Sequence, residues 1–404
     1  MSRRNLVLLG VAIALTAAGL GTGQPAAAAP ATRGARPPFA GSASPVCPGP
    51  ASIGSARCHA WVLHPAKGPG HQPPPPASAP GGLSPATIKS VYDFPTSASA
   101  GAGPTIAIVD AYDDPNVESD LGVFSSQFGL PACTTANGCF TKVNQTGGKR
   151  YPRANSGWAL EISLDVQWAH AIAPGAKILL VEANSTNFSD LTTAESYANA
   201  HAQYVSNSWD GSEFSGETSY DKYFTHSGVS TFVAAGDAGL PAEYPSASPN
   251  VISVGGTTLN FSGTTFMSET GWSSGGGGCS AYETATPAQR RYAGYQQVNC
   301  GGKRATPDVS LDADPNSGVA VYDSTSYQGT SGWWVVGGTS ASTPMWAARA
   351  ADSGQQITAS TVYPGSASSL NITFRDITLG NNGAPCLTGY DLCSGLGSWT
   401  GTTP

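Results

Sequence analysis

The sequence predicts an α/β fold in which a central, mainly parallel sheet carries helices on both faces. Two observations support this prediction. Apolar runs rich in β-branched residues end in small or polar residues, and stretches with helical periodicity separate several of these runs. Strands without polar alternation are buried on both faces, as happens when helices cover a parallel sheet.

The expected strands and helices follow from these runs. Helices are predicted near residues 156–173, 190–203 and 343–354. Active sites in such sheets gather at the carboxyl ends of the strands, so polar residues there are functional candidates. The predicted strands are TIAIVD (105–110), KILLVEA (177–183), YVSNSW (204–209), STFVAAGD (230–237), NVISVGGT (250–257) and GVAVYD (318–323).

Three segments organise the chain. Residues 1–29 have a charged start, an apolar run and an Ala-x-Ala cleavage site, which are typical of an export signal peptide. Residues 30–82 are rich in proline and glycine and are expected to form an extended leader or linker, with a Cys47–Cys58 loop as its one fixed element. Residues 83–404 are expected to form the main domain.

The composition disfavours a nucleic-acid-binding or membrane-spanning protein and favours an exported one. Only 11% of the 404 residues are charged and the net charge is −7, so nucleic acid is not an expected partner. The apolar run near the N-terminus is too short to predict a membrane span. Eight cysteines indicate an exported, oxidised protein. Because short loops close cheaply, we predict sequential disulfides: Cys47–Cys58, Cys133–Cys139, Cys279–Cys300 and Cys386–Cys393.

A candidate nucleophile lies in the run GTSASTP, residues 338–344. Ser340 follows Gly-Thr at the predicted start of a helix, and such a serine needs a neighbouring base to take its proton. The chain has six histidines, and none is followed by Gly-Thr. The base therefore has to be sought among other residues.

Two carboxylates on the helix predicted near 156–173 are candidates for that base. Glu161 and Asp165 are four residues apart and share one helix face beside an apolar stripe. Like charges in such a position do not stabilise a helix, which favours a functional interpretation. His170 is half a turn away from that face and is not expected to join them.

Two strand-end carboxylates complete the candidate set. Asp237 lies in VAAGDAGLP after a predicted strand, where a protonated carboxyl can donate a hydrogen bond to an oxyanion. Asp110 ends TIAIVD and is either part of a proton network or a bystander. Trp209, Asp210 and Glu213 follow another strand and line either the cleft or a surface loop.

These motifs together resemble the sedolisins, a family of serine-carboxyl peptidases with a subtilisin-like fold. The Glu-x-x-x-Asp pattern of Glu161 and Asp165, followed by Ala-Pro-Gly-Ala, matches the family, as do Gly236-Asp237 and the Gly-Thr-Ser-Ala run at Ser340. SVGGTTL (253–259) and PDVSLDADP (307–315) are also similar, and the resemblance covers residues 83–404.

The resemblance implies a role for each residue. Ser340 attacks the scissile carbonyl, Glu161 is general base and then acid, and Asp165 orients Glu161. Asp237, when protonated, donates to the oxyanion. Together with the export signal and the composition, the resemblance predicts a secreted, monomeric endopeptidase that acts in acid on proteins or peptides, without nucleic acid or membrane partners.

The same resemblance implies one structural calcium ion near the C-terminus. The matching positions supply carboxylate or carbonyl oxygens, the ligands that calcium prefers. The loop between them is shorter than expected, and a leucine replaces the usual glycine. The five positions are Asp376, Ile377, Leu387, Gly389 and Asp391.

Three alternatives remain open at this stage. The chain could be a tripeptidyl-type exopeptidase of the same family. A subtilisin triad of Asp110, His170 and Ser340 is a second alternative, which the position of His170 disfavours. A secreted binding scaffold without catalysis is the third, and the complete set of candidate residues argues against it.

Overall fold

The computed structural model describes residues 41–65, 79–364, 370 and 372–401, which all belong to one unit, Arg36–Pro404. The predicted signal peptide and much of the predicted leader lie outside these residues. No helix in the described part of the chain is long and apolar enough to cross a membrane. The α-helices are α1 (Pro85–Tyr92), α2 (Val117–Phe128), α3 (Ser156–Ile172), α4 (Phe188–His201), α5 (Pro287–Arg291) and α6 (Thr339–Ser353).

The strands of the described residues build four sheets. In chain order they are β1 (Gly41–Pro45), β2 (Arg57–Cys58), β3 (Trp61–Pro65), β4 (Thr105–Ala111), β5 (Phe140–Asn144), β6 (Lys177–Ala183), β7 (Tyr204–Asn207), β8 (Trp209–Ser212), β9 (Ser230–Ala234), β10 (Glu243–Tyr244), β11 (Ile252–Ser262), β12 (Thr265–Gly271), β13 (Gly278–Thr284), β14 (Lys303–Thr306), β15 (Val309–Asp312), β16 (Val319–Tyr327), β17 (Thr330–Gly337), β18 (Phe374–Arg375) and β19 (Ser398–Trp399).

The largest sheet has ten strands and is mainly parallel, which confirms the predicted fold class. Its order is β18-β19-β15-β11-β9-β7-β4-β6-β5, with β12 added beside β11. Only the β11–β12 and β18–β19 pairs are antiparallel. The strands β4, β6, β7 and β9 are almost wholly buried, as their apolar sequences predict.

Helix α3 is buried on nearly every side. Its first N–H groups at Gly157 and Trp158 are capped by the side chain of Asn155, and it ends at Ile172, two residues before Pro174. It packs against α6, which lies over β7, β9 and β11. The two helices that carry the candidate catalytic groups are therefore direct neighbours.

The residue before helix α6 has a backbone conformation that glycine adopts more easily than any other residue. Gly338 precedes the helix with a φ of 97°, a backbone conformation that side chains disfavour. Pro344 lies inside the helix and has no N–H to donate to the carbonyl of Ser340, four residues earlier. Ser340 thus occupies the second position of a helix whose N-terminus faces the carboxyl ends of the sheet strands.

One predicted strand belongs to a different sheet from the one expected. GVAVYD forms β16, which pairs antiparallel with β17 rather than joining the parallel sheet. The same four-stranded sheet contains β1 and β3 from the leader, in the order β1-β3-β17-β16. Residues 41–65 are therefore more ordered than their composition suggests, and Val46, Ala60 and Val62 are buried in the main core.

The four predicted disulfides are confirmed. Cys47–Cys58, Cys133–Cys139, Cys279–Cys300 and Cys386–Cys393 have Cα–Cα distances of 5.5, 4.9, 5.3 and 5.1 Å. The first of them closes the loop that leads from β1 to β2. It therefore ties the leader strands together at the point where they meet the main domain.

Candidate active site

The four predicted catalytic residues lie together and are all buried, with at most 4% of any of them exposed. Ser340 comes from the start of α6, Glu161 and Asp165 come from α3, and Asp237 follows β9. The hydroxyl of Ser340 interacts with the carboxyl of Glu161 and donates to the carbonyl of Ser208 at 3.4 Å. The packing of α3 against α6 is what brings these groups into reach.

Glu161, Asp165 and Asp110 form a buried carboxyl cluster. Burial raises the pKa of Glu161 well above its usual range, and the charge of Asp110 raises it further, while hydrogen bonds from Ser340 and from the Ala60 N–H lower it. Burial and then the charges of Asp110 and Glu161 raise the pKa of Asp165 in the same way. Asp110, near the end of β4, is therefore a neighbour of the predicted pair, and burial raises its own pKa to about 8.

One carboxyl oxygen of Asp237 accepts hydrogen bonds from the start of α6, and the other oxygen faces the cleft. Its Oδ1 accepts hydrogen bonds from the N–H of Thr339 at 2.8 Å and from the Thr339 hydroxyl at 2.7 Å. Its Oδ2 lies 3.9 Å from Nδ1 of His59. Burial is the largest influence on the pKa of Asp237 and raises it, which favours the protonated form.

The histidines do not support the alternative triad. Nε2 of His170 is hydrogen-bonded to the carbonyl of Pro131 at 2.9 Å, away from Ser340. The histidine that does reach the site is His59, in the segment between β2 and β3. Its ring lies among Asp210, Asp237 and Glu243, and its Nε2 is hydrogen-bonded to Asp210 Oδ1.

Residues 57–61 of the leader cover the catalytic groups. The N–H of Ala60 donates to Oε2 of Glu161 at 2.8 Å, and the N–H of His59 donates to the carbonyl of Ser208 at 3.3 Å. Strand β2 pairs antiparallel with β8. Ser340 is consequently without solvent exposure.

The three candidate residues that follow β7 lie in different surroundings, and the first two belong to β8. Asp210 faces the cleft, where burial raises its pKa to about 7. Trp209 is buried and its indole N–H donates to the carbonyl of Val109 at 2.8 Å. Glu213 lies elsewhere and accepts from the N–H of Ala281 at 2.9 Å.

Sequence reasoning missed His59 and Glu243. Glu243 lies in β10, which pairs with β8, so its approach to the cleft depends on a sheet that no local pattern predicts. His59 directly follows Cys58, the end of the small disulfide loop. A histidine beside the one fixed element of a proline-rich segment was the available signal, and it is a weak one.

The predicted calcium positions meet in one loop. Oδ2 of Asp376 accepts from the N–H of Gly389 at 2.9 Å, and Oδ2 of Asp391 accepts from the N–H of Leu387 at 2.6 Å. Asp391 Oδ1 also accepts from the N–H groups of residues 393 and 394. The two carboxylates suit a calcium ion, whereas the loop presents N–H groups to them, and two peptides would have to turn to offer carbonyls.

Several known proteins are similar to this chain in sequence. Residues 153–364 match the model of the subtilase family. Kumamolisin from Bacillus sp. (strain MN-32) is 30% identical over 370 residues, which cover 80% of this chain and 63% of that protein. Xanthomonalisin from Xanthomonas sp. (strain T-22) is 28% identical, with 70% and 41% covered, and sedolisin from Pseudomonas sp. (strain 101) is 26% identical, with 78% and 60% covered. The chain thus spans less than two thirds of the length of each of these relatives.

A solved structure gives the same result. The structure of Pseudomonas sedolisin, a serine-carboxyl proteinase, in complex with two molecules of pseudo-iodotyrostatin superposes with a TM-score of 0.64. It is 26% identical, and the alignment covers 80% of this chain and 96% of that one. The likeness confirms the subtilisin-like fold that the family resemblance implied. The family match covers more than half of the chain, so the chain belongs to the subtilase family, and its relatives in sequence and structure assign it to the sedolisins.

Proposed function

We propose that this chain is an exported serine-type endopeptidase that hydrolyses peptide bonds in acid. The observation that supports the proposal most is the meeting of Ser340 with Glu161, a carboxyl that already accepts a peptide N–H at 2.8 Å. A nucleophile, a proton acceptor and a peptide are thereby in contact. His170, the histidine of the alternative triad, is engaged with a backbone carbonyl instead.

Each carboxyl has a distinct part in the proposed reaction. Glu161 takes the proton of Ser340 as the hydroxyl attacks, and it then gives this proton to the leaving nitrogen. Asp165, behind Glu161 on the same helix face, shares its proton and keeps it oriented. Asp237 donates from its protonated carboxyl to the oxyanion at the start of α6, where the helix N-terminus also favours negative charge.

The pH dependence follows from opposite requirements on two carboxyls. Glu161 must be ionised to act as a base, so activity rises with pH through the pKa of the coupled cluster. Asp237 must be protonated, so activity falls as pH rises through its pKa, which burial raises. Release of the leader up to His59 admits water to the cleft, which lessens the effect of burial on the pKa of Glu161 and lets a larger fraction of this carboxyl ionise in acid.

The test is a pH–rate profile on a denatured protein substrate, with Ser340→Ala as the inactive control. We expect a bell-shaped profile confined to acid. Asp237→Asn keeps a donor that needs no proton, so this variant should lose part of its turnover but retain it toward neutral pH. A maximum near neutral pH in the unmodified chain would instead support a histidine base.

Other activities give different outcomes in the same assay. A tripeptidyl-type exopeptidase would release tripeptides from a free N-terminus and leave an N-terminally acetylated peptide intact. A binding scaffold would show no turnover at any pH. Export and a monomeric state are part of the proposal because the chain forms four disulfides and a single chain supplies every site residue.

We propose further that Asp376 and Asp391 hold one structural calcium ion, with Ile377, Leu387 and Gly389 as the predicted carbonyl ligands. Calcium at 100 times its Kd should stabilise the domain by about 2.7 kcal/mol, which corresponds to several degrees in Tm. Asp391 already holds its loop through hydrogen bonds, so Asp376→Asn is the informative variant. It should remove the calcium-dependent rise in Tm and leave the Tm in chelator unchanged; a Tm indifferent to calcium and chelator in the unmodified chain would contradict the site.

A further inference from the structure

Residues 57–60 lie in the cleft in the manner of a bound peptide. In the β2–β8 pair, Arg57 is opposite Asp210 and Cys58 is opposite Trp209. The next N–H, that of His59, donates to the carbonyl of Ser208 at 3.3 Å. Ser340 donates to the same carbonyl, so the extended main chain of His59 runs directly beside the nucleophile.

The peptide bond between His59 and Ala60 is the one that faces the reacting groups. Its nitrogen donates to Oε2 of Glu161, the proposed acid for the leaving amine. Its carbonyl oxygen lies against the start of α6, because a Cβ on Gly338 would be 1.7 Å from that oxygen and 2.8 Å from Asp237 Oδ2. The nitrogen thus faces a proton donor and the carbonyl faces the proposed oxyanion donor, as acyl transfer requires.

The side chain of His59 enters an acidic pocket. Nε2 is bonded to Asp210 and lies 3.8 Å from Oε2 of Glu243, while Nδ1 faces Asp237. Gly236 makes room for these carboxyls, since a Cβ there would lie 2.9 Å from Glu243 Oε2 and 3.2 Å from Asp210 Oδ2. Arg57 brings a positive charge to 3.6 Å from Glu243.

A histidine leaves part of this pocket unsatisfied. Asp210 and Glu243 are hydrogen-bonded to each other through a proton that one of the two carboxyls holds, and among the described residues no donor reaches Oδ2 of Asp237. A side chain with more N–H groups can take the place of that proton and donate to both carboxyls, so it should bind better. A guanidinium has five N–H donors and a permanent charge, whereas a neutral imidazole has one donor.

We propose that Asp210 and Glu243 make the cleft selective for substrates with a cationic side chain, arginine above all, on the acyl side of the scissile bond. The His59–Ala60 peptide bond is then a cleavable bond within the chain itself, with His59 on the acyl side. This inference rests on the proposed peptidase function and specifies its substrate class. Substrate selection lies with the two carboxylates because they surround the side chain without touching the reacting bond.

The self-cleavage step is an ordinary hydrolysis. Ser340 attacks the carbonyl carbon of His59 and gives its proton to Glu161, which passes it to the nitrogen of Ala60 as the C–N bond breaks. One water then hydrolyses the ester and leaves a carboxyl group on His59 and a free amine on Ala60. Cys47 and Cys58 are both upstream of the cut, so the fragment that they close can leave without reduction.

Selectivity is tested with peptides that differ only in the residue before the scissile bond, namely arginine, histidine or leucine, each followed by alanine. We expect kcat/KM to fall in that order, with arginine preferred over leucine by at least about tenfold. Asp210→Asn and Glu243→Gln keep the shape of the pocket and should reduce this ratio, while turnover of the leucine peptide persists. Asp93→Asn removes an exposed carboxylate at the end of α1 and should leave the ratio unchanged.

The chain's own bond is tested by N-terminal sequencing after incubation in acid. The unmodified chain should acquire Ala60 as its N-terminus, and Ser340→Ala should stay intact. His59→Arg should be cut faster than the unmodified chain and His59→Leu more slowly. An active enzyme that prefers leucine, or a ratio unaffected by both pocket variants, or a new N-terminus elsewhere, overturns this inference alone. No cleavage of any peptide or of the chain itself contradicts the proposed function and the inference together.

Discussion

Glu161→Gln should lower turnover by about 10²–10⁴ because the amide keeps the shape of the carboxyl but cannot take the proton of Ser340. The loss becomes larger if Ser340, Glu161 and Asp165 act as one unit. The amide oxygen still accepts the N–H of Ala60, so binding of a peptide in the cleft is preserved. The effect should therefore appear in kcat and not in KM, which a steady-state measurement on one peptide separates.

Two control variants make this result specific. Glu195→Gln also replaces a fully buried carboxyl, on α4, and should leave turnover unchanged. His170→Ala removes the histidine of the alternative triad, whose ring nitrogen is bonded to the Pro131 carbonyl, and it should be nearly silent for catalysis. A large loss with His170→Ala and a small loss with Glu161→Gln would restore the histidine mechanism.

Local sequence patterns were sufficient for the helices and strands that frame the site. The apolar runs at 105–110 and 177–183 became β4 and β6, and the helix predicted near 156–173 became α3. Such elements are predictable because burial on both faces leaves a continuous apolar signature. The spacing of Glu161 and Asp165 was informative for the same reason, since helix geometry alone puts them on one face.

Local sequence patterns did not predict that the leader strand β2 lies in the cleft. Strand β2 has two residues and pairs with β8, whose partner residue Asp210 is about 150 positions away in the chain. Pairing between strands so far apart in the chain produces no hydrophobic periodicity in a segment rich in proline and glycine. The strand GVAVYD has the apolar character of a parallel strand, yet it joins an antiparallel sheet, because strand sequence does not specify the partner.

The buried carboxyls should make the folded domain more stable in acid than at neutral pH. Burial is the largest cause of each shift, and it raises the pKa of Asp210 to about 7, of Asp110 and Glu195 to about 8, and of Glu182 and Glu243 to about 9. Unfolded carboxyls titrate near 4, so the folded state holds more protons between about pH 4 and pH 8. The stabilisation is complete below pH 4 and is lost as pH rises through the folded pKa values.

Asp110→Asn isolates one member of this set. Neither oxygen of Asp110 has a hydrogen-bond donor among the described residues, so burial, and not a hydrogen-bond partner, raises the pKa of this carboxyl. Each pH unit between its unfolded and folded pKa costs about 1.4 kcal/mol of folding free energy, which an asparagine does not incur. In a Ser340→Ala background, which prevents self-digestion, denaturant unfolding from pH 4 to pH 8 should give a falling free energy of unfolding. The slope should be shallower with Asp110→Asn and unchanged with Asp93→Asn. A stability maximum at neutral pH, with equal slopes in all three proteins, would mean that these carboxyls are ionised in the folded chain and that the site is wetter than its burial indicates.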